Sequence, residues 1–120
     1  MRLYADAQGE THFEEIDVTL MPTVFAPPAA PLHVAQLFPA SGCGFVGAPA
    51  GWPGEQPHPS PRRQLFCNLR GEYAVTAGDG SIRRFPSGSV LLLDDAGSTG
   101  HATRIVGTED VLLIAVALAD

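Results

Sequence analysis

The chain has 120 residues, of which 45% are hydrophobic and only 17% charged, with a formal net charge of −6. That length suits one domain with material for a real core, and the composition excludes a disordered tail. An acidic chain lacks the basic stripe that phosphate contacts require, so no nucleic-acid partner is expected. All 7 basic residues are arginine, which excludes chemistry built on a Schiff-base lysine.

The N-terminus reads Met1-Arg2-Leu3-Tyr4-Ala5-Asp6, with no apolar run after the charge, so no secretory signal is expected. The longest apolar run, residues 111–119, is about half of a membrane span. No membrane partner and a cytoplasmic location follow as expectations. In that compartment Cys43 and Cys67 are read as free thiols.

No stretch keeps a helical period beyond about two turns. Strand-like runs occur instead at 13–20, 43–48, 64–69, 72–77, 81–85, 89–93, 101–106 and 111–118, divided by Gly, Pro, Asp and Ser. Short strands at this spacing predict an all-β sandwich or barrel. Residues 21–31 contain four prolines and are predicted to be an extended strap across the barrel. The segment 47–61, again rich in Gly and Pro, has the character of a loop that frames a site. Residues 72–77 and 81–85 flank Gly78-Asp79-Gly80 and predict a hairpin, and Pro86-Ser87-Gly88 predicts a second turn.

Residues 52–71 resemble the first motif of the cupins, G-x5-H-x-H-x3,4-E-x6-G. The stretch reads Trp52, five residues, His58-Pro59-Ser60, three residues, Gln64, six residues and Gly71. The second motif, G-x5-P-x-G-x2-H-x3-N, is matched more loosely from Gly88 to His101. Its loop is two residues longer, with Asp94 at the proline position and Ile105 at the asparagine position. The resemblance spans about residues 40–118. It implies a single domain over 1–120, an antiparallel, jelly-roll-like barrel, with 1–39 as N-terminal strands and strap and 40–118 as the motif-bearing core. It also implies that His58 and His101 stand at metal-ligand positions, whereas Ser60 and Gln64 replace a histidine and the glutamate. A divalent metal (Zn, Fe, Ni or Mn) on His58, Gln64 and His101 is the cofactor this implies.

Alternation along a strand would turn His58, Ser60, Arg62, Gln64, Phe66 and Asn68 inward and Leu65, Cys67 and Leu69 outward. A polar interior calls for a solvated or ligand-filled cavity, and an apolar exterior for a covering layer. A small-molecule ligand and a homodimer are therefore expected. Arg62 beside His58 suits a carboxylate-bearing metabolite, because guanidinium meets carboxylate as a fork; a surface ion pair with Glu55 is the alternative. His58 and His101 are also candidate catalytic acid and base. Trp52 is a candidate lid, or else it packs on the strap. Asp94 and Asp95 either orient His101 or serve the turn. His12 and His33 lie outside the motifs and read as surface or packing residues.

Three functions remain open on these residues. The first is binding of a polar or carboxylate-bearing metabolite, with the reaction unassigned. The second is a metal-dependent oxygenase, isomerase or lyase. The third is a non-catalytic interaction module.

Overall fold

A computed structural model describes residues 1–119, and within them the chain is all β. The strands are β1 (Arg2–Ala5), β2 (Thr11–Glu14), β3 (Met21–Thr23), β4 (Leu32–Val34), β5 (Ala40–Ala48), β6 (Gln64–Arg70), β7 (Glu72–Thr76), β8 (Ile82–Phe85), β9 (Val90–Asp94), β10 (Ala102–Val106) and β11 (Val111–Leu118). Among the described residues no helix is long and apolar enough to cross a membrane.

Six strands form the larger sheet in the order β2-β1-β9-β6-β11-β5. The smaller sheet has the order β10-β7-β8, and the two face each other across the core. Leu3, Leu91, Leu93, Val111 and Leu113 come from the larger sheet, and Tyr73, Val75 and Phe85 from the smaller. This departs from a closed antiparallel barrel. The two sheets share no ladder, and β1 runs parallel to β9, pairing Leu3 with Leu93.

The seven strands from β5 to β11 lie where alternation and turn residues put them. The β7–β8 hairpin closes where Gly80 N–H donates to Ala77 O at 3.0 Å, and Gly80 takes the positive φ of +88°. The N-terminal third differs. Of the expected strand 13–20, only residues up to Glu14 are paired, as part of β2. Strand β1, too short at four residues to show a period, lies inside the larger sheet with Leu3 fully buried. Residues 1–14 thus belong to the core sheet. The proline-rich segment is not a packed strap: β3 and β4 pair with each other and with no further strand, forming an arm.

Candidate functional site

A cavity of about 360 Å³ opens between the two sheets. Alternation builds its walls. Phe66 of β6 and Leu91 and Leu93 of β9 project from the larger sheet, and Tyr73, Val75 and Ile105 from the smaller. The lining is mostly apolar, which corrects the expected polar interior. Its polar lining residues include His58, Ser60, Gln64, His101 and Thr103, and Trp52 lines it as well.

His58 and His101 come from distant stretches of chain and are joined by the backbone. His58 N–H donates to His101 O at 2.9 Å, and His101 N–H donates to His58 O at 3.0 Å. Their ring centroids are 4.9 Å apart. Gly100 makes this approach feasible: it holds a φ of +89°, and a Cβ on it would fall 2.2 Å from the His58 carbonyl carbon. Gly54 does the same for Trp52, since a Cβ there would sit 1.9 Å from the indole ring. The indole meets His58 edge-on, with centroids 6.4 Å apart.

Both imidazoles have a defined tautomer. His58 Nδ1 lies 2.9 Å from Gln56 O, and His101 Nδ1 lies 2.6 Å from Asp95 Oδ2. Each acceptor is an oxygen without a proton, so each Nδ1 is the donor and each neutral ring keeps a lone pair on Nε2. Asp95 is fully buried, and its other oxygen accepts the Ser60 backbone N–H at 3.2 Å. Burial works against its charge. The hydrogen bond from His101, with the contacts from Ser60, outweighs that and holds the carboxyl below its usual range. Asp95 therefore orients His101, one of the two roles the sequence left open for it. Asp94 instead lies on the outer side of the sheet, paired with Arg2 at 2.7 Å and Arg63 at 3.6 Å.

The remaining expected residues divide. Ser60, Gln64, Phe66 and Trp52 line the cavity. Arg62 is exposed and does not line it, so the expected guanidinium fork is corrected. The reason lies in the prolines at 59 and 61, which lack the N–H a ladder needs; β6 begins only at Gln64, and alternation does not carry back through Arg62. Asn68 is buried but serves the backbone, donating to Gly71 O at 2.8 Å and Phe85 O at 3.1 Å. Leu65 and Cys67 lie on the opposite face of β6, half-buried, with Leu69 exposed beyond them.

Tyr73, Thr103 and Ile105 were not singled out from the sequence, although their inward positions follow from period-2 alternation once the strands are set. Tyr73 Oη and Ser60 Oγ are buried without a hydrogen-bond partner among the described residues. Burial, followed by the nearby Cys67 thiol, pushes the Tyr73 phenol upward, so it stays protonated and able to donate.

Tested against a divalent metal, the site supplies two imidazole nitrogens and the Gln64 amide, all neutral. The nearest carboxylate, Asp95, is already engaged by His101 and Ser60. Open sites for such metals use three imidazoles, or two with a carboxylate, and two imidazoles with an amide fall short of either set, so these residues do not fit one.

No family model and no curated protein matches the sequence. Among solved structures, the chain is similar to the cupin domain of Schizosaccharomyces pombe Cnp3, with 21% identity and a TM-score of 0.49. The alignment covers 87% of this chain and 65% of that one, so the chain spans just under two thirds of the structure it matches.

Proposed function

We propose that the cavity binds a small, uncharged molecule with an apolar body and a hydrogen-bond donor, such as a hydroxyl on a ring, directed at the two imidazoles. The observation that carries this reading is the pair of imidazoles, each with Nδ1 engaged by an oxygen, lining a mostly apolar cavity of about 360 Å³. Apolar walls reward burial of the ligand body, and the few polar groups orient it. Asp95 behind His101 adds a chemical capacity. A ligand hydroxyl can pass its proton to His101 Nε2, and the resulting imidazolium is stabilised by the buried carboxylate. The reaction that would use such a step is left unassigned.

Trp52 is the sole tryptophan and sits against His58, so its fluorescence reports on the cavity. The test uses 4-ethylphenol and 4-ethylbenzoate, two probes of similar body that differ in the polar end. The phenol is expected to bind and to shift Trp52 emission. His101→Ala should weaken it by about tenfold, the worth of one hydrogen bond in a dry site. Tighter binding of the benzoate would overturn the neutral-donor reading. So would stoichiometric Zn, Fe, Ni or Mn in the purified protein that disappears in the His58→Ala, His101→Ala double variant.

A further inference from the structure

The β1–β2 hairpin gathers charge in a way that strand pairing by itself does not favour. Its turn closes where Asp6 N–H donates to Glu10 O at 2.8 Å, and Gly9 takes a φ of +83°. Asp6 and Glu10 therefore face each other across the hairpin, and like charges placed so are destabilising. His12 joins the face of Glu10, because residues two apart in a strand share a side. The β7–β8 turn then brings in a third carboxylate. Asp79 N–H donates to Thr11 O at 3.1 Å, and Asp79 Oδ2 lies 2.9 Å from His12 Nδ1. Three carboxylates thus surround one imidazole. Among the described residues their ion pairs are to His12 alone, and no arginine joins them.

The donor atoms of this group are held in place. Asp6 Oδ1 accepts the Gln8 and Glu10 backbone N–H groups at 2.9 and 3.0 Å, which leaves Oδ2 facing His12 Nε2 at 2.8 Å. Asp79 Oδ1 accepts the Ser81 N–H at 2.9 Å, which leaves its Oδ2 for His12 Nδ1. Glu10 Oε2 lies 3.7 Å from the same Nε2 as Asp6. The ring nitrogen and one oxygen of each of Asp6 and Glu10 all lie within 4.8 Å of one another. Ligand atoms set tetrahedrally at about 2.0–2.1 Å from one ion stand roughly 3.3–3.4 Å apart. The two spacings from Nε2, 2.8 and 3.7 Å, bracket that value.

We infer that Asp6, Glu10 and His12 form a site for a divalent transition ion of the Zn²⁺ type, on the outside of the molecule and apart from the cavity, which none of the three lines. The ion takes the position that the Nε2 proton otherwise occupies, between the ring and the two carboxylates. An imidazole in the set favours such an ion over Ca²⁺ or Mg²⁺, which take oxygen ligands. The set differs from two imidazoles with a carboxylate by one exchange, and the added carboxylate helps to match a dication. Asp79 is a positioning residue. By accepting Nδ1–H it fixes the tautomer that turns Nε2 toward the ion, as carboxylates behind metal-bound imidazoles do. The ligands are partly exposed, so a further coordination position is open to water. Bound there, the ion ties the hairpin of the larger sheet to a turn of the smaller one. This inference is independent of what the cavity binds.

Equilibrium dialysis of the full chain against micromolar Zn²⁺ is expected to leave one ion per chain, and Tm should rise with the Zn²⁺ concentration. His12→Gln and Glu10→Gln, both at the surface, should each weaken binding by about tenfold or more. Asp79→Ala should also weaken it by about tenfold or more, and Asp79→Asn should recover part of that loss, because an amide oxygen still accepts Nδ1–H. Equal binding by Asp79→Ala and Asp79→Asn would remove Asp79 from the role given to it. Zn²⁺ binding that survives His12→Gln but is lost in the His58→Ala, His101→Ala double variant would place the ion in the cavity and overturn the inference. So would the absence of binding at micromolar Zn²⁺, or displacement of Zn²⁺ by an equal concentration of Ca²⁺.

Discussion

A histidine meets aspartate at two places in the molecule, and the surroundings make them different devices. At the cavity, His101 meets one buried carboxylate, Asp95, whose second oxygen is also used by Ser60. On the outside, His12 lies between Asp6, 2.8 Å from Nε2, and Asp79, 2.9 Å from Nδ1, with Glu10 3.7 Å away. Both ring nitrogens of His12 face acceptors, so the group favours the imidazolium. The hydrogen bonds to Asp6 and then Asp79 hold its pKa above 6.5. His101 keeps Nε2 for the cavity. The contrast shows that the same two side chains yield a charged surface stitch in water and an oriented lone pair when buried.

The largest expected effect is removal of the buried partner. Asp95→Ala leaves the His101 Nδ1–H and the Ser60 N–H without acceptors in the interior. It should lower the unfolding free energy by about 2–4 kcal/mol, the cost of two buried donors left without acceptors, measured by urea titration. A loss of under about 1 kcal/mol would mean the pair is no more than a surface contact and would break the contrast.

Acid should reveal Asp95 next. Its folded pKa lies below the usual 3.8, so its contribution is complete above that value and is lost as pH falls through the folded one. Unfolding free energy followed from about pH 5 down to pH 2 should fall more steeply in the unsubstituted protein than in Asp95→Asn. Parallel curves would contradict an ionised Asp95.

The smallest effect belongs to His12, and its sign is opposite. A raised folded pKa gives stability that is full below 6.5 and fades as pH rises through the folded value. Asp79, lowered to about 2 by its hydrogen bonds with Ser81, and Asp6 both remain anionic across that range. The difference in Tm between the unsubstituted protein and His12→Gln should therefore be small, greatest on the acid side of neutrality and absent in alkaline buffer. A difference that persists unchanged at alkaline pH would show packing rather than charge.

The cavity wall was legible where alternation could be read along a real strand. Gln64 and Phe66 face in and Leu65 and Cys67 face out, as period 2 requires. It failed at Arg62, where two prolines break the strand that the pattern assumed. Residues 15–20, expected to continue the strand of 13–20, lie outside it, and residues 21–31, expected to be a strap from their four prolines, carry β3 instead, because composition without a period does not fix a pairing partner.

What the sequence determined by itself was local: the turns at Gly80 and Gly88, the strands between them, the faces of β6, and the presence of two histidines at spacings that resemble cupin motifs. Only the tertiary structure decided that β1 enters the larger sheet parallel to β9 and that Gly100 lets His58 and His101 pair. It also decided that Asp95, rather than Asp94, turns His101 toward the cavity. The reason is that strand and turn preferences act between neighbours along the chain. The pairings that build the site join residues far apart in the chain, Leu3 with Leu93 and His58 with His101, and no preference between neighbours specifies them.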